Sequence, residues 1–311
     1  MTADRGSFKK PASAALLFAL CLTAVPSVTA KTATPLPRLF PERWIDGTNG
    51  AEPVAQVQAL DADTFVIRQS IATNFEAPFL YLLFGRDKAL LIDTGAEGGV
   101  IRPVVDRVIA DWLKAHDRKS IPLVVAHSHA HGDHIAGDAA FADRPDTTLV
   151  GLKPAEVAQF FGIKPWPGAI AKFDLGQRPL SILATPGHQA AAMMVYDPRL
   201  RILISGDTLY PGRLYVPVNF LADNRASIDR LAAFARTHPI RAVLGAHIEM
   251  TRTPGRDYAH EVLAHPDEHP LELPAAAIAE LRQGLKARLD TPDQPQVHDR
   301  FIIYPVPPRA E

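Results

Sequence analysis

The chain has 311 residues, 47% of them hydrophobic, enough for one large domain or two small ones around a sizeable core, which excludes a disordered or low-complexity protein. Its 33 lysines and arginines nearly balance 34 aspartates and glutamates, with no basic stripe interleaved with aromatics. That excludes the electrostatic footprint of a nucleic-acid binder and leaves a small molecule as the expected partner.

At the N-terminus Arg5, Lys9 and Lys10 precede an apolar run from Ala12 to Val25 that closes on small residues, Val28 to Ala30, the layout of a secretory leader over 1–30. The run is shorter than the about 20 residues that span a bilayer, and no later stretch is long and apolar enough to do so. The mature chain is therefore expected near Lys31, periplasmic or secreted, with no integral membrane segment. Without residues 1–30, which hold three basic and one acidic residue, the balance is 30 against 33, a net charge of −3. The single cysteine, Cys21, lies inside the leader, and Leu20 stands before it where lipid attachment would want glycine or alanine. Any metal site of the mature chain must then be made of histidine and carboxylate.

The proline- and glycine-rich stretch 31–60 reads as an extended N-terminal segment. Apolar and β-branched runs at 64–68, 79–84 and 88–92 predict strands. From Val100 to His116, residues Ile101, Val104, Val105, Val108, Ile109, Trp112 and Leu113 recur at spacings of three and four, which predicts an amphipathic helix with Pro103 in its first turn. Leu123 to Val125 predicts a short buried strand running into a histidine cluster. Further strands are predicted at 147–150, 179–184, 192–196, 200–204, 241–244 and 301–304, and helices at 154–161, 227–236 and 275–289. Strands in runs with helices between them predict an α/β chain of sheet layers covered by helices.

Five loops at or just after predicted strands carry candidate ligands: His127 to His134, Thr185 to His188, Ser205 to Asp207, Gly245 to His247, and Asp93. Strand-end loops are where residues distant in sequence can converge. Alternation along an extended His129-Ala130-His131 points both imidazoles at one ion. Gly132 permits a sharp turn, beyond which Asp133 and His134 face a second. Zinc takes four-coordinate shells of nitrogen, sulfur or oxygen and keeps one position for water when catalytic. Two ions about 3.5–4 Å apart can share a hydroxide and clamp a substrate oxygen.

This arrangement resembles the metallo-β-lactamase superfamily, whose signature His-x-His-x-Asp-His is followed by isolated His, Asp and His ligands. The signature stands here as His129, His131, Asp133 and His134, then His188, Asp207 and His247, within a resemblance covering roughly 60–250. A register starting at His127 would put His131 and Gly132 where Asp and His are required. The resemblance implies a four-layer αββα sandwich, with a catalytic domain over 61–250 and a C-terminal extension over 251–311 packed on it. It implies two zinc ions, with iron or manganese as other possible occupants. His129, His131 and His188 would hold the first, Asp133, His134 and His247 the second, and Asp207 would bridge them. Asp93 looks like the family's early aspartate, which orients a ligand from behind; His127, outside the signature, is a candidate for similar support.

The implied chemistry is attack of a metal-bound hydroxide on a polarised carbonyl, with Asp133 orienting or receiving the proton. Family β-lactamases usually place cysteine or serine where Asp207 stands, whereas a bridging aspartate is typical of hydroxyacylglutathione hydrolases, lactonases and phosphodiesterases. Tyr210, three residues after Asp207, is similar to a tyrosine of the N-acyl homoserine lactonases that hydrogen-bonds the substrate carbonyl; an aromatic simply packed beside the metal loop is the other reading. Export favours an ester or lactone, then a thioester of the hydroxyacylglutathione type, then a β-lactam. A single-iron sulfur dioxygenase and a non-catalytic metal-binding protein are the remaining alternatives. Asn74 and Phe75, in the turn-rich segment 70–78, are the candidate substrate-binding residues, and 211–220 is the other loop expected at the site.

Overall fold

The computed structural model describes residues 1–3, 39–287, 289, 291 and 294–309. The chain divides into Met1–Pro37 and Arg38–Glu311, and everything that follows concerns the second unit. The expected leader, apart from its first three residues, lies outside the described residues, as does Cys21.

The first sheet runs β1 (Ala55–Asp61), β2 (Thr64–Gln69), β3 (Phe79–Phe84), β4 (Ala89–Ile92), β5 (Leu123–Ala126) and β6 (Thr147–Leu149), in that spatial order. β1 to β4 pair antiparallel, β4 to β6 parallel. Between β4 and β5 lies α1 (Arg102–Ala115), and after β5 come the short helices α2 (Gly132–Ile135) and α3 (Asp138–Ala142). Past α4 (Pro154–Phe161), the second sheet is built from β7 (Ile170–Asp174), β8 (Pro179–Ala184), β9 (Met193–Asp197) and β10 (Ile202–Gly206). The chain then leaves that sheet through β11 (Arg213–Pro217) and α5 (Leu221–Ala235) and returns as β12 (Ala242–Gly245), parallel to β10, and β13 (Glu272–Leu273). After α6 (Ala276–Gly284), β14 (Gln296–Val297) and β15 (Ile302–Val306) join β11 in a third sheet.

Period-two alternation distributes these strands between cores. On β3, Phe79, Tyr81 and Leu83 enter the core between the two large sheets, with Ile182, Val195, Ile204 and Leu244 opposite. Leu80, Leu82 and Phe84 point the other way, onto Val105, Ile109 and Trp112 of α1. The outer face of the second sheet, Met194, Tyr196 and Leu203, packs on Ile228 and Leu231 of α5 and Ile278 and Leu281 of α6. The layers are thus helix, sheet, sheet, helix, the αββα sandwich expected.

The predicted strands and helices are present, with the following differences. β1 occupies 55–61, inside the stretch expected to be an extended segment; AQVQALD alternates polar and apolar residues, as an edge strand can, and pairs with β2. β7, β11, β13, β14 and the short helices α2 and α3 have no counterpart among the predicted elements. α5 starts at Leu221, six residues before the predicted start, because Leu221, Asn224 and Ser227 are buried although Asn and Ser carry no apolar signal. α6 stops at Gly284, and Leu285 and Leu289 reach the same core from beyond it.

At the sheet edge remote from the histidine loops, Arg178 clamps the two sheets. Its Nη1 donates to the carbonyls of Asp63 at 2.7 Å and Phe84 at 2.9 Å, its Nη2 to Thr64 Oγ1 at 2.6 Å, and Nε and Nη2 both reach Asp197 Oδ2. Both partners of this ion pair are buried, at 2% and 0% exposure. Removing one member of such a pair strands the other charge, so Asp197→Ala should cost about 3–5 kcal/mol of stability in denaturant unfolding; a loss below about 1 kcal/mol, as for an exposed pair, would contradict this account.

Candidate metal centre

Strand register brings the candidate ligands to one edge. Ile92 pairs with Ala126, so Asp93 and His127 leave β4 and β5 side by side. Gly206 pairs with Gly245, so Asp207 and the loop to His247 leave β10 and β12 together. Two hydrogen bonds tie the large sheets across this edge: Phe79 N donates to Ala246 O at 2.7 Å and Met193 N to Ser128 O at 2.8 Å. Gly206, at φ +50°, lies so close to Ser128 that a Cβ there would stand 2.6 Å from Ser128 Cβ. This glycine is what lets the Asp207 loop approach the histidine loop.

The donors form two groups. His129 Nε2 and His188 Nε2 lie 2.9 and 3.0 Å from His131 Nδ1. Asp133 Oδ2, His134 Nε2 and His247 Nε2 lie 3.0 to 3.4 Å from one another. Asp207 divides itself between them: Oδ1 is 3.5 Å from His134 Nε2 and 3.3 Å from His247 Nε2, while Oδ2 is 3.9 Å from His129 Nε2 and 3.6 Å from His188 Nε2. Two ligands each 2.0–2.1 Å from a tetrahedral zinc are about 3.4 Å apart. The separations bracket that edge length.

Tautomers support the same conclusion. His188 Nδ1–H donates to the Tyr215 carbonyl at 2.8 Å and His247 Nδ1–H to the Glu76 carbonyl at 2.7 Å. A carbonyl only accepts, so each neutral ring presents an Nε2 lone pair to the group. His134 Nδ1 is held at 2.9 Å by Asp93 Oδ2, whose carboxylate also accepts from Ser128 N at 2.7 Å and Ser128 Oγ at 2.8 Å. Ser128 Oγ in turn lies 3.2 Å from His129 Nδ1. Lone pairs thus face lone pairs, and buried Asp207 Oδ1 has no hydrogen-bond partner. A cation satisfies all of them at once, so the residues fit a pair of divalent ions.

Electrostatics separate the two groups. Burial, reinforced by the neighbouring imidazoles, pushes His129 and His188 down and lowers His131 to about 4, so these stay neutral donors. Burial would lower His134 and His247 too, but Asp133 and Asp207 outweigh it and raise both. Asp207 is held well below the usual carboxylate range by the imidazoles of His247, His134 and His129 despite its burial. Protons therefore compete with a cation mainly in the second group.

Gly132, expected to allow a sharp turn, instead starts α2, with open space where its Cβ would be; Asp133 and His134 project from that helix. His127 does not reach the donors. Its Nε2 is 2.9 Å from Asp138 Oδ1, which also accepts from Thr94 Oγ1, while Thr94 N donates to the His134 carbonyl; His127 secures the backbone under His134.

A cleft of about 340 Å³ opens over both groups. Tyr210 lines it, but the ring is buried and its hydroxyl donates to the Arg213 carbonyl, 3.1 Å from Glu249 Oε2. Of the two readings of Tyr210, the packed aromatic matches its bonding. Asn74 does not line the cleft: its Oδ1 accepts from Glu76 N at 3.0 Å and its Nδ2 donates to Glu97 O at 3.2 Å, a turn-forming role. Phe75 lines a neighbouring hollow with Tyr258 and His260. Glu76, Tyr215, Glu249, His260 and Arg309 do line the cleft. Glu76 and Tyr215 fall in the two loops expected at the site, 70–78 and 211–220, whereas Glu249, His260 and Arg309 lie outside both.

Asp93→Ala, which removes the acceptor behind His134 and Ser128, should weaken affinity for the second equivalent of zinc by about 10–100-fold, read by competition with a chromophoric chelator; unchanged affinity would exclude the orienting role.

The sequence profile of the family described as "Metallo-beta-lactamase superfamily" matches residues 74–247. A hydroxyacylglutathione hydrolase of Rhizobium meliloti (strain 1021) is 30% identical over 118 residues, 37% of this chain and 43% of that protein, so the chain spans less than half the length of this relative. The acyl-coenzyme A thioesterase MBLAC2 of Homo sapiens is 24% identical over 229 residues, 61% of this chain and 80% of that protein. Among solved structures, a metallo-beta-lactamase from Pontibacter korlensis is 15% identical at a TM-score of 0.47, covering 75% of this chain and 100% of its own. The family assignment rests on the profile.

Proposed function

The chain belongs to the metallo-beta-lactamase superfamily, and on that premise we propose that it is an exported dinuclear-zinc hydrolase that cleaves an acyl bond, in an oxygen ester or lactone. The observation that carries this reading is the division of Asp207, one oxygen toward each donor group. When bound, the ions supply a nucleophilic water at neutral pH and polarise the carbonyl.

The chain's own contributions follow from the geometry. His129, His131 and His188 would hold one ion; Asp133, His134 and His247 the other; Asp207 both. Asp133 Oδ2 stands 3.0 Å from His134 Nε2 and 3.3 Å from His247 Nε2, among the atoms that would hold the second ion. From that position Asp133 would help to hold the cation and would orient a water by accepting its hydrogen bond or receive its proton. No side-chain nucleophile is required.

Export rests on the leader-like layout of residues 1–30 and favours oxygen esters and lactones, since thioesters of glutathione and coenzyme A are largely cytosolic. The engagement of Tyr210 with Arg213 and Glu249 removes one support for a lactone in particular. A thioester substrate is the second reading, favoured by the names of the relatives above. A β-lactam is less favoured, because Asp207 stands where family β-lactamases usually have cysteine or serine.

Zinc-loaded protein should hydrolyse at least one class in a panel of oxygen ester, lactone, thioester, cephalosporin and phosphodiester, and Asp133→Ala should lose about 10²-fold or more in kcat with its fold retained by circular dichroism. Two bound zinc ions without turnover of any class would favour a metal-binding protein, and less than one ion per chain after reconstitution would sink the dinuclear reading. N-terminal sequencing of the protein from its native host should start near Lys31; an uncut chain in the cytosol would refute export.

A further inference from the structure

The C-terminal extension contributes to the cleft itself. β15 runs parallel to β11, in register from Arg213↔Ile302 to Pro217↔Val306. The chain then continues through Pro307 and Pro308 to Arg309, which lines the cleft together with His131, Asp133 and His188. Asn219, two residues beyond β11, grips Arg309 by both backbone groups: its Nδ2 donates to the Arg309 carbonyl at 3.0 Å, and its Oδ1 accepts from the Arg309 N–H at 3.2 Å. A carboxamide paired in this way positions the backbone and leaves the side chain free. The prolines at 305, 307 and 308 restrict the approach further by fixing φ.

Arg309 is the only arginine or lysine among the residues lining the cleft, and among the described residues no carboxylate pairs with it. Of the other charged groups there, Asp133 and Asp207 belong to the donor groups and Glu249 is neutralised by Arg213 at 3.1 Å. Glu76 is half-buried in the field of His247 and Asp133, while Arg309 is exposed at the rim. A planar guanidinium with five donors and no carboxylate partner among the described residues, held at the mouth of an acyl-hydrolysing cleft, matches a carboxylate or phosphate.

We propose that Arg309, positioned by Asn219, recognises an anionic group remote from the scissile carbonyl, so that the natural substrate is a negatively charged ester or thioester. This rests on the hydrolase reading only for calling the ligand a substrate. The test is therefore binding, by calorimetry on the whole zinc-loaded protein, with two pairs of unreactive ligands that differ in charge. Glutaric acid monoanilide against butyranilide probes a carboxylate on the acyl side; desulfo-coenzyme A against desulfo-pantetheine probes phosphate on the leaving side.

In at least one pair the anionic member should bind wild type about tenfold more tightly, and Arg309→Gln should abolish that preference. Asn219→Ala, which keeps the charge but frees the tail, should lose at least about half of it. The absence of a preference in both pairs, or a preference that survives Arg309→Gln because the anion sits on the metals, overturns the proposal; full preference in Asn219→Ala overturns the positioning by Asn219. An anion preference lost in Arg309→Gln, in a protein that hydrolyses none of the panel, would uphold Arg309 while the hydrolase reading fails.

Discussion

The carboxylate of Asp93 is the point on which the metal centre turns. It sits at the end of β4, buried, at φ +69°, a left-handed conformation that aspartate tolerates better than most residues. From there it accepts three hydrogen bonds, from Ser128 N, Ser128 Oγ and His134 Nδ1. The last fixes the tautomer of a histidine in the second group. Ser128 Oγ, itself fixed by Asp93, stands behind His129 in the first. One residue that belongs to neither donor group thus orients an imidazole in each, which is how a strand end in the first sheet governs a site shared with the second.

The two edges of the sandwich handle buried polarity in opposite ways. At the edge of Arg178 the guanidinium meets a carboxylate, a hydroxyl and two carbonyls, and nothing there calls for a further ligand. At the other edge Asp207 Oδ1 is left without a partner and imidazole lone pairs converge on one another. Burying unsatisfied polar groups costs free energy, and that cost is carried where a cation removes it. Satisfied polarity holds the sheets together, and unsatisfied polarity marks where a divalent cation would bind.

The additions to the sandwich act on the same edge. β11 leaves the second sheet's run and offers the Tyr215 carbonyl to His188, and β15 pairs with β11 and brings Arg309 to the cleft. The segment between β12 and β13 is fastened to the first sheet through Arg68, whose guanidinium meets both oxygens of Glu268 in a buried pair. Tyr258 and His260, on that segment, line the neighbouring hollow with Phe75 and Glu76, and His260 reaches the cleft as well.

By itself the sequence determined the layer pattern and the identity of the converging donors. The alternation in 79–84 and the three-and-four spacing in 101–113 are local consequences of burying one face or two, and the histidine signature needs only its own register. β1 and the first turns of α5 were illegible because their buried faces include Gln, Asn and Ser, which carry no apolar period. Only the tertiary structure decided how Asp207 divides its oxygens, which nitrogen each imidazole offers, that the Tyr210 hydroxyl faces Arg213, that Asn74 shapes a turn, and that Arg309 ends at the cleft. Each of those depends on which strand lies beside which. Hydrogen-bond partners are set by neighbours in space, and neither periodicity nor motif spacing encodes those neighbours.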